Sequence, residues 1–102
     1  HQIKSHLITN LHLPFPSLKV LADIGRMSVS QLKNKFRQSE QSSPEQFFID
    51  NRMKVALEYL AQGKSVKETA FLLGYSHSSN FIGAFKRKFG KVPSEYKKLL
   101  HH

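Results

Sequence analysis

The sequence predicts an all-α fold of about seven helices, two helix–turn–helix subdomains joined by one long linker helix. Three observations carry this. Apolar residues recur at three- and four-residue spacing, without strand-like alternation. Serines stand where helices should start and glycines where they should stop. Two stretches of the chain also repeat one another as helix, tight turn, helix.

Ile3, Leu7 and Leu11 recur every four residues and mark a first helix, which Pro14 and Pro16 break. Ser17 caps a second helix, with Leu18, Leu21 and Ala22 on its apolar side and Val20 and Ile24 available to it. Three later starts carry the capping box, in which Ser and Gln/Glu three apart satisfy each other's free backbone N–H groups. They are Ser28–Gln31, Ser43–Gln46 and Ser65–Glu68. Pro44 also occupies a first helical position, where its missing N–H costs nothing. Gly63 is expected to stop the long helix 44–62, Gly74 the helix 66–73, and Gly90 the helix before Pro93. A last short helix should run from Pro93 to about Leu100. The run Phe47–Phe48–Ile49 lies inside a capped segment of helical length, so it is not read as a strand. These breaks divide the chain into a first subdomain over 1–42, a linker helix over 43–62 and a second subdomain over 63–102.

The repeat pairs "LADIGRMSVSQLKNKFR", from Leu21, with "TAFLLGYSHSSNFIGAFKR", from Thr69. Ala22 matches Ala70, Met27 matches Tyr75, Leu32 matches Phe81 and Phe36 matches Phe85. A small residue lets the second helix cross close to the first, so the alanines mark the crossings. Gly74 supplies the positive φ that a tight turn needs. Met27 and Tyr75 would anchor the corners. Leu32 and Phe36, and then Phe81, Phe85 and Phe89, are four apart and read as core, not as stacking platforms.

Of 102 residues, 39% are hydrophobic, enough to build a core. There are 16 Lys+Arg against 7 Asp+Glu, a formal charge of +9. That balance favours a polyanionic partner, nucleic acid first and anionic membrane second. The absence of cysteine excludes disulfides, thiolate zinc sites and thiol catalysis. No apolar run approaches the roughly 20 residues of a membrane span, and no signal peptide is visible. The chain opens at His1 without a methionine, so a longer parent is expected; His101 and His102 match the end of a purification tag.

The charges are segregated. Between Asp23 and Glu40 there is no acidic residue, but there are Arg26, Lys33, Lys35 and Arg37. Between Glu68 and Glu95 there is again none, but there are Lys86, Arg87, Lys88 and Lys91. These windows coincide with the second helix of each unit, and freedom from carboxylates is what approach to phosphate requires. A helix over 44–60 would be about 25 Å long. It can hold two such helices roughly one DNA turn apart, about 34 Å, for successive major-groove segments. His1, His6, His12, His77, His101 and His102 offer no HxxxH spacing on one helix, and nothing resembles a nucleophile–base–acid set. No catalytic residue, metal or cofactor is therefore expected.

The second half carries a specific pattern, "SVKETAFLLGYSHSSNFIGAFKRKFGKVPSEYKK". Its key positions are Ala70, Gly74–Tyr75, Phe81, Ala84–Phe85–Lys86, Phe89–Gly90, Pro93 and Tyr96. The first half contributes Ser17–Leu18, Leu21–Ala22, Met27–Ser28, Leu32 and Phe36. Together, from about Ser17 to Lys98, they resemble the DNA-binding domain of the AraC/XylS family of bacterial transcription regulators. "LPFPSLKVLA" and "LKNKF" are similar to that family's siderophore-responsive branch.

The resemblance implies sequence-specific binding to double-stranded promoter DNA and transcription regulation in the bacterial cytoplasm. It also implies RNA polymerase as a partner and a separate N-terminal effector-binding or dimerisation domain. Two recognition helices, about 29–38 and 79–89, would enter the major groove. Base-reading positions would be Ser30, Lys33, Asn34 and Arg37 in the first unit, and His77, Ser78, Ser79, Asn80 and Gly83 in the second. Asn can pair with adenine N6 and N7, and Lys can donate to guanine. Phosphate contacts would fall to Ser28, Lys35, Ser65, Lys86, Arg87 and Lys88.

Two positions depart from the family pattern. Gly25 comes one place early and Arg26 stands where glycine is usual, so either the turn shifts or Arg26 takes a strained φ. Gly83 stands where many members carry a larger polar residue, and it can make no side-chain base contact. The first recognition helix is therefore expected to carry more specificity, and the second more phosphate affinity. The competing reading is a non-enzymatic basic helical module that binds anionic membrane or nucleic acid non-specifically, with its apolar positions exposed. Vesicle flotation together with a cooperative melt separates the two.

Overall fold

The computed structural model describes residues 2–100, so His1 and the pair His101–His102, read above as a tag end, lie outside the described residues. The described residues form seven helices: α1 Gln2–Thr9, α2 Leu18–Ile24, α3 Val29–Glu40, α4 Pro44–Ala61, α5 Val66–Leu72, α6 Ser78–Phe89 and α7 Pro93–Leu100. No strand occurs among them.

The helix starts are built as the serines predict. Ser17, Ser28, Ser43 and Ser65 accept the N–H of Val20, Gln31, Gln46 and Glu68 at 3.2, 3.1, 3.1 and 3.0 Å. Of the three expected capping boxes only the one on α3 closes, with Gln31 Oε1 accepting the Ser28 N–H at 2.9 Å. On α4, Gln46 instead donates to Asp50 Oδ1 at 2.9 Å. On α5 the serine half forms alone. A second correction concerns α1, which stops at Thr9, ahead of the prolines. Asn10 Nδ2 donates to the His6 carbonyl at 2.8 Å, taking an acceptor at the helix end. Leu11 therefore lies beyond the helix, though its side chain is still buried.

The first turn resolves in favour of Arg26, which takes φ 54°, while Gly25 remains right-handed at φ −86°. Left-handed backbone at a non-glycine residue costs on the order of 1 kcal/mol or more. Gly25 is suited to its place by proximity: a Cβ there would fall 2.6 Å from Ile3 Cδ1 and 2.9 Å from Met27 Cε.

Each unit buries its own core. Ile3, Leu7, Leu21, Ala22, Leu32, Phe36 and Phe48 close the first. Met53, Ala56, Leu60, Ala70, Leu73, Phe81, Ala84 and Phe85 close the second. Helix α4 supplies Phe48 to one and Met53, Ala56 and Leu60 to the other, and Val55 packs against both. It is thus a shared wall and not a free spacer. Helix α7 is pinned to its far end by Lys97, whose ammonium donates to the Lys64 carbonyl at 2.9 Å.

One polar group is stranded in the second core. Thr69 is fully buried and its Oγ1 has no hydrogen-bond partner. A buried, unsatisfied hydroxyl costs about 1–3 kcal/mol. Thr69→Val keeps the shape and removes that cost, so it is expected to raise the urea unfolding free energy by about 1 kcal/mol. A loss of stability on this change would mean that the hydroxyl is partnered in solution.

Candidate nucleic-acid interface

Helix α3 presents Ser30, Lys33, Asn34 and Arg37, all exposed, at i, i+3, i+4 and i+7. That spacing makes one row along the helix, beside the buried Leu32 and Phe36. Lys35 is exposed too, but at 100° per residue it stands about 150° round the helix from the row's centre. It does not share that face.

Helix α6 starts from His77, whose backbone is extended at φ −131° and whose side chain makes no cap hydrogen bond. His77, Ser78, Ser79 and Asn80 are all exposed. Phe81, Ala84 and Phe85 bury the inner side. Ser79, Gly83 and Lys86 run along the opposite side, with Asn80 and Arg87 next to them. Lys88 falls on the packed side, where its ammonium lies 3.3 Å from Asp50 Oδ1 of α4. Of the three consecutive cations "KRK", Lys86 and Arg87 make no ion pair among the described residues. Ser28 and Ser65 are exposed, their hydroxyls occupied in capping.

The grooves beside the two rows meet at Glu45, at the start of α4. One groove runs between Lys33 and Arg37 of α3 and Glu45 at the start of α4. A second cleft runs between α4 and α6, lined by the same Glu45 with Asn80, Gly83 and Arg87. The described molecule is 47 Å along its longest axis and 23 by 21 Å across. A DNA turn of about 34 Å fits within that length.

A residue that the sequence reading passed over bridges the two units. Arg52 of α4 is 7% exposed. Its Nε donates to the Leu11 carbonyl at 2.8 Å and its Nη2 to the Leu13 carbonyl at 2.6 Å. The guanidinium also lies 4.4 Å from the Phe48 ring centroid and 4.8 Å from that of Tyr75. One arginine thus ties the loop after α1 to the shared helix and to the turn of the second unit. Gly74 completes the joint. Its φ is +83°, and a Cβ there would fall 2.4 Å from the His12 carbonyl oxygen. A signal was present: Arg52 interrupts the apolar four-residue series Phe48, Ala56, Leu60 on the core side of α4. A charge in such a row must find partners.

Among the described residues no group of three or more His, Cys, Asp or Glu side chains could hold a metal ion. No helix of the described chain is long and apolar enough to cross a membrane.

Fold and surface together define a two-headed helix–turn–helix protein built on a shared helix. A family model described as "Helix-turn-helix domain" matches residues 21–99. The chain belongs to this family, the AraC/XylS-type helix–turn–helix domains, a non-enzymatic class. It is 37% identical over 92 residues to the HTH-type transcriptional regulator YdeO of Shigella flexneri, covering 89% of this chain and 36% of that protein. It is 35% identical over 77 residues to the transcriptional regulator SirC of Salmonella typhimurium, covering 74% of this chain and 26% of that one. The chain therefore spans about a third of the length of the curated relatives it matches. Among solved structures, a DNA-binding transcriptional dual regulator from Escherichia coli K-12 matches with a TM-score of 0.75 and 31% identity, over 96% of this chain and 97% of that chain. The DNA-binding domain of AdpA, a global transcriptional factor in complex with a target DNA, matches with a TM-score of 0.86 and 28% identity, over 95% and 87% of the two chains.

Proposed function

We propose that this chain binds double-stranded DNA sequence-specifically, with α3 and α6 in successive major-groove segments, and that its parent protein regulates transcription. The observation that carries this reading is the pair of exposed rows on α3 and α6, whose own residues include no carboxylate. Ser30, Lys33, Asn34 and Arg37 read bases in one half-site, and His77, Ser78, Ser79 and Asn80 in the other. Phosphate is held by Lys86 and by the serine-capped helix starts at Ser28 and Ser65. Lys88 joins them only by exchanging Asp50 for phosphate. Because the two heads differ in sequence, the site is asymmetric and not a palindrome. The parent's promoter, its location in a bacterial cytoplasm, its contact with RNA polymerase and an N-terminal effector or dimerisation domain belong to the same reading.

The membrane alternative requires exposed apolar rows. The rows on α3 and α6 are instead buried, at 0–1% exposure for Leu32, Phe36, Phe81 and Phe85. Asn34→Ala tests the reading at its most specific point. It is expected to weaken binding to the selected site by about 1–3 kcal/mol, while leaving random duplex nearly unchanged. Equal loss on both duplexes would contradict base reading by Asn34, and binding to anionic vesicles in preference to duplex would favour the alternative.

A further inference from the structure

Gly83 leaves a gap in the middle of the outward row of α6, and another side chain occupies it. A Cβ built at Gly83 meets a single neighbour, Arg87 Nη1, at 3.6 Å. The Arg87 guanidinium thus lies back across the bare backbone of residue 83, one turn nearer the helix start than its own Cα. This is the direction in which helical side chains lean. It brings the guanidinium into the cleft lined by Ser79, Asn80 and Gly83, whose far wall on α4 includes Glu45. Arg87 makes no hydrogen bond or ion pair among the described residues, whereas Lys88 beside it is held by Asp50.

The start of a recognition helix is the part that meets base edges. A guanidinium is a planar fork that matches guanine O6 and N7 with two parallel hydrogen bonds, a geometry that an ammonium cannot reproduce. We propose that Arg87 is a base-reading residue, directed to a guanine in the second half-site, and that Gly83 is the passage that lets it reach there. This moves Arg87 out of the phosphate-holding set expected from the sequence. It also restores to α6 the selectivity that the missing side chain at position 83 would have removed. The inference rests on the DNA-binding reading of α6 given above.

Three substitutions separate the parts. Arg87→Lys keeps the charge and removes the fork. Gly83→Ala adds a Cβ at ordinary contact distance from Nη1, on right-handed backbone, so the guanidinium stays in place. Gly83→Leu fills the passage and displaces it. Lys86→Ala serves as the phosphate control. A preferred site is selected from random duplex DNA with the unaltered chain. Relative affinities for all four bases are then measured at every position of the second half-site, with thermal melts to confirm that each variant is folded.

The unaltered chain is expected to prefer guanine at one position by about 5- to 150-fold. Arg87→Lys and Gly83→Leu should flatten that position alone and leave the salt dependence unchanged. Gly83→Ala should keep the preference, and Lys86→Ala should weaken all sequences together. A guanine preference that survives Arg87→Lys, or an Arg87→Lys loss spread equally over all sequences, overturns the assignment while leaving specific DNA binding intact. Failure of the selection to yield any preferred sequence overturns the DNA-reading proposal itself and this one with it.

Discussion

Arg52→Ala is expected to lower the unfolding free energy by about 2–4 kcal/mol, measured by urea denaturation, and to uncouple the two heads. Hydrogen bonds from a charged donor contribute about 1.5–3 kcal/mol each, and this guanidinium makes two, to the Leu11 and Leu13 carbonyls. Part of the loss is recovered when those carbonyls reach water, so the sum is not expected in full. The contact of the guanidinium with the Phe48 and Tyr75 rings goes as well. Arg52→Met keeps much of the stem volume and removes the guanidinium, its donors and its two ring contacts together. If the guanidinium seats the loop, Met should recover a minor part of the loss. The binding readout is more diagnostic than the melt. On a full two-part site the effective concentration of the second head is highest while the angle between heads is fixed, and falls as that angle loosens. Arg52→Met should therefore reduce affinity for the full site toward that for a single half-site, with half-site affinities little changed. An unchanged ratio of full-site to half-site affinity would show that α4 alone holds the heads in place.

Phe85→Ala is expected to cost about 3–5 kcal/mol, the usual range for a large aromatic truncated in a core. Phe85 is fully buried and lies at the centre of a ring cluster. Its centroid is 5.8 Å from Phe81, 4.6 Å from Phe89 and 5.8 Å from Tyr96, so it joins α6 to α7. The cavity opens in the second unit, behind the recognition row, and so should reduce DNA binding through loss of folded protein. Affinity corrected for the folded fraction should be nearly unaltered. A melt close to that of the unaltered chain would place the ring outside the core.

These two residues illustrate different kinds of legibility. Phe85 belongs to a four-residue apolar period that runs through Phe81 to Phe89, and its burial follows from the helix it sits in. The serine caps are equally local, since a hydroxyl and an N–H three residues on are close in any helix start. The charge windows are legible too, because a helix sets which of Ser30, Lys33, Asn34 and Arg37 share a face. Arg52 is different. Its partners, Leu11 and Leu13, are about forty positions away in the chain and are backbone groups, which carry no sequence signature.

By itself, then, the sequence determined the seven helices, their serine starts, the apolar rows that bury them and the two polar rows left exposed. These depend on spacings of three and four residues and on backbone preferences, which act within a turn or two. The tertiary structure decided the rest. It withdrew Lys88 to Asp50, opened two of the three capping boxes, assigned Gly25 to Ile3 and Met27, seated the first loop on Arg52 and Gly74, and laid Arg87 across Gly83. Each of these depends on which atom of a neighbouring element, or which rotamer, fills a particular space, and packing settles that only once the helices have met.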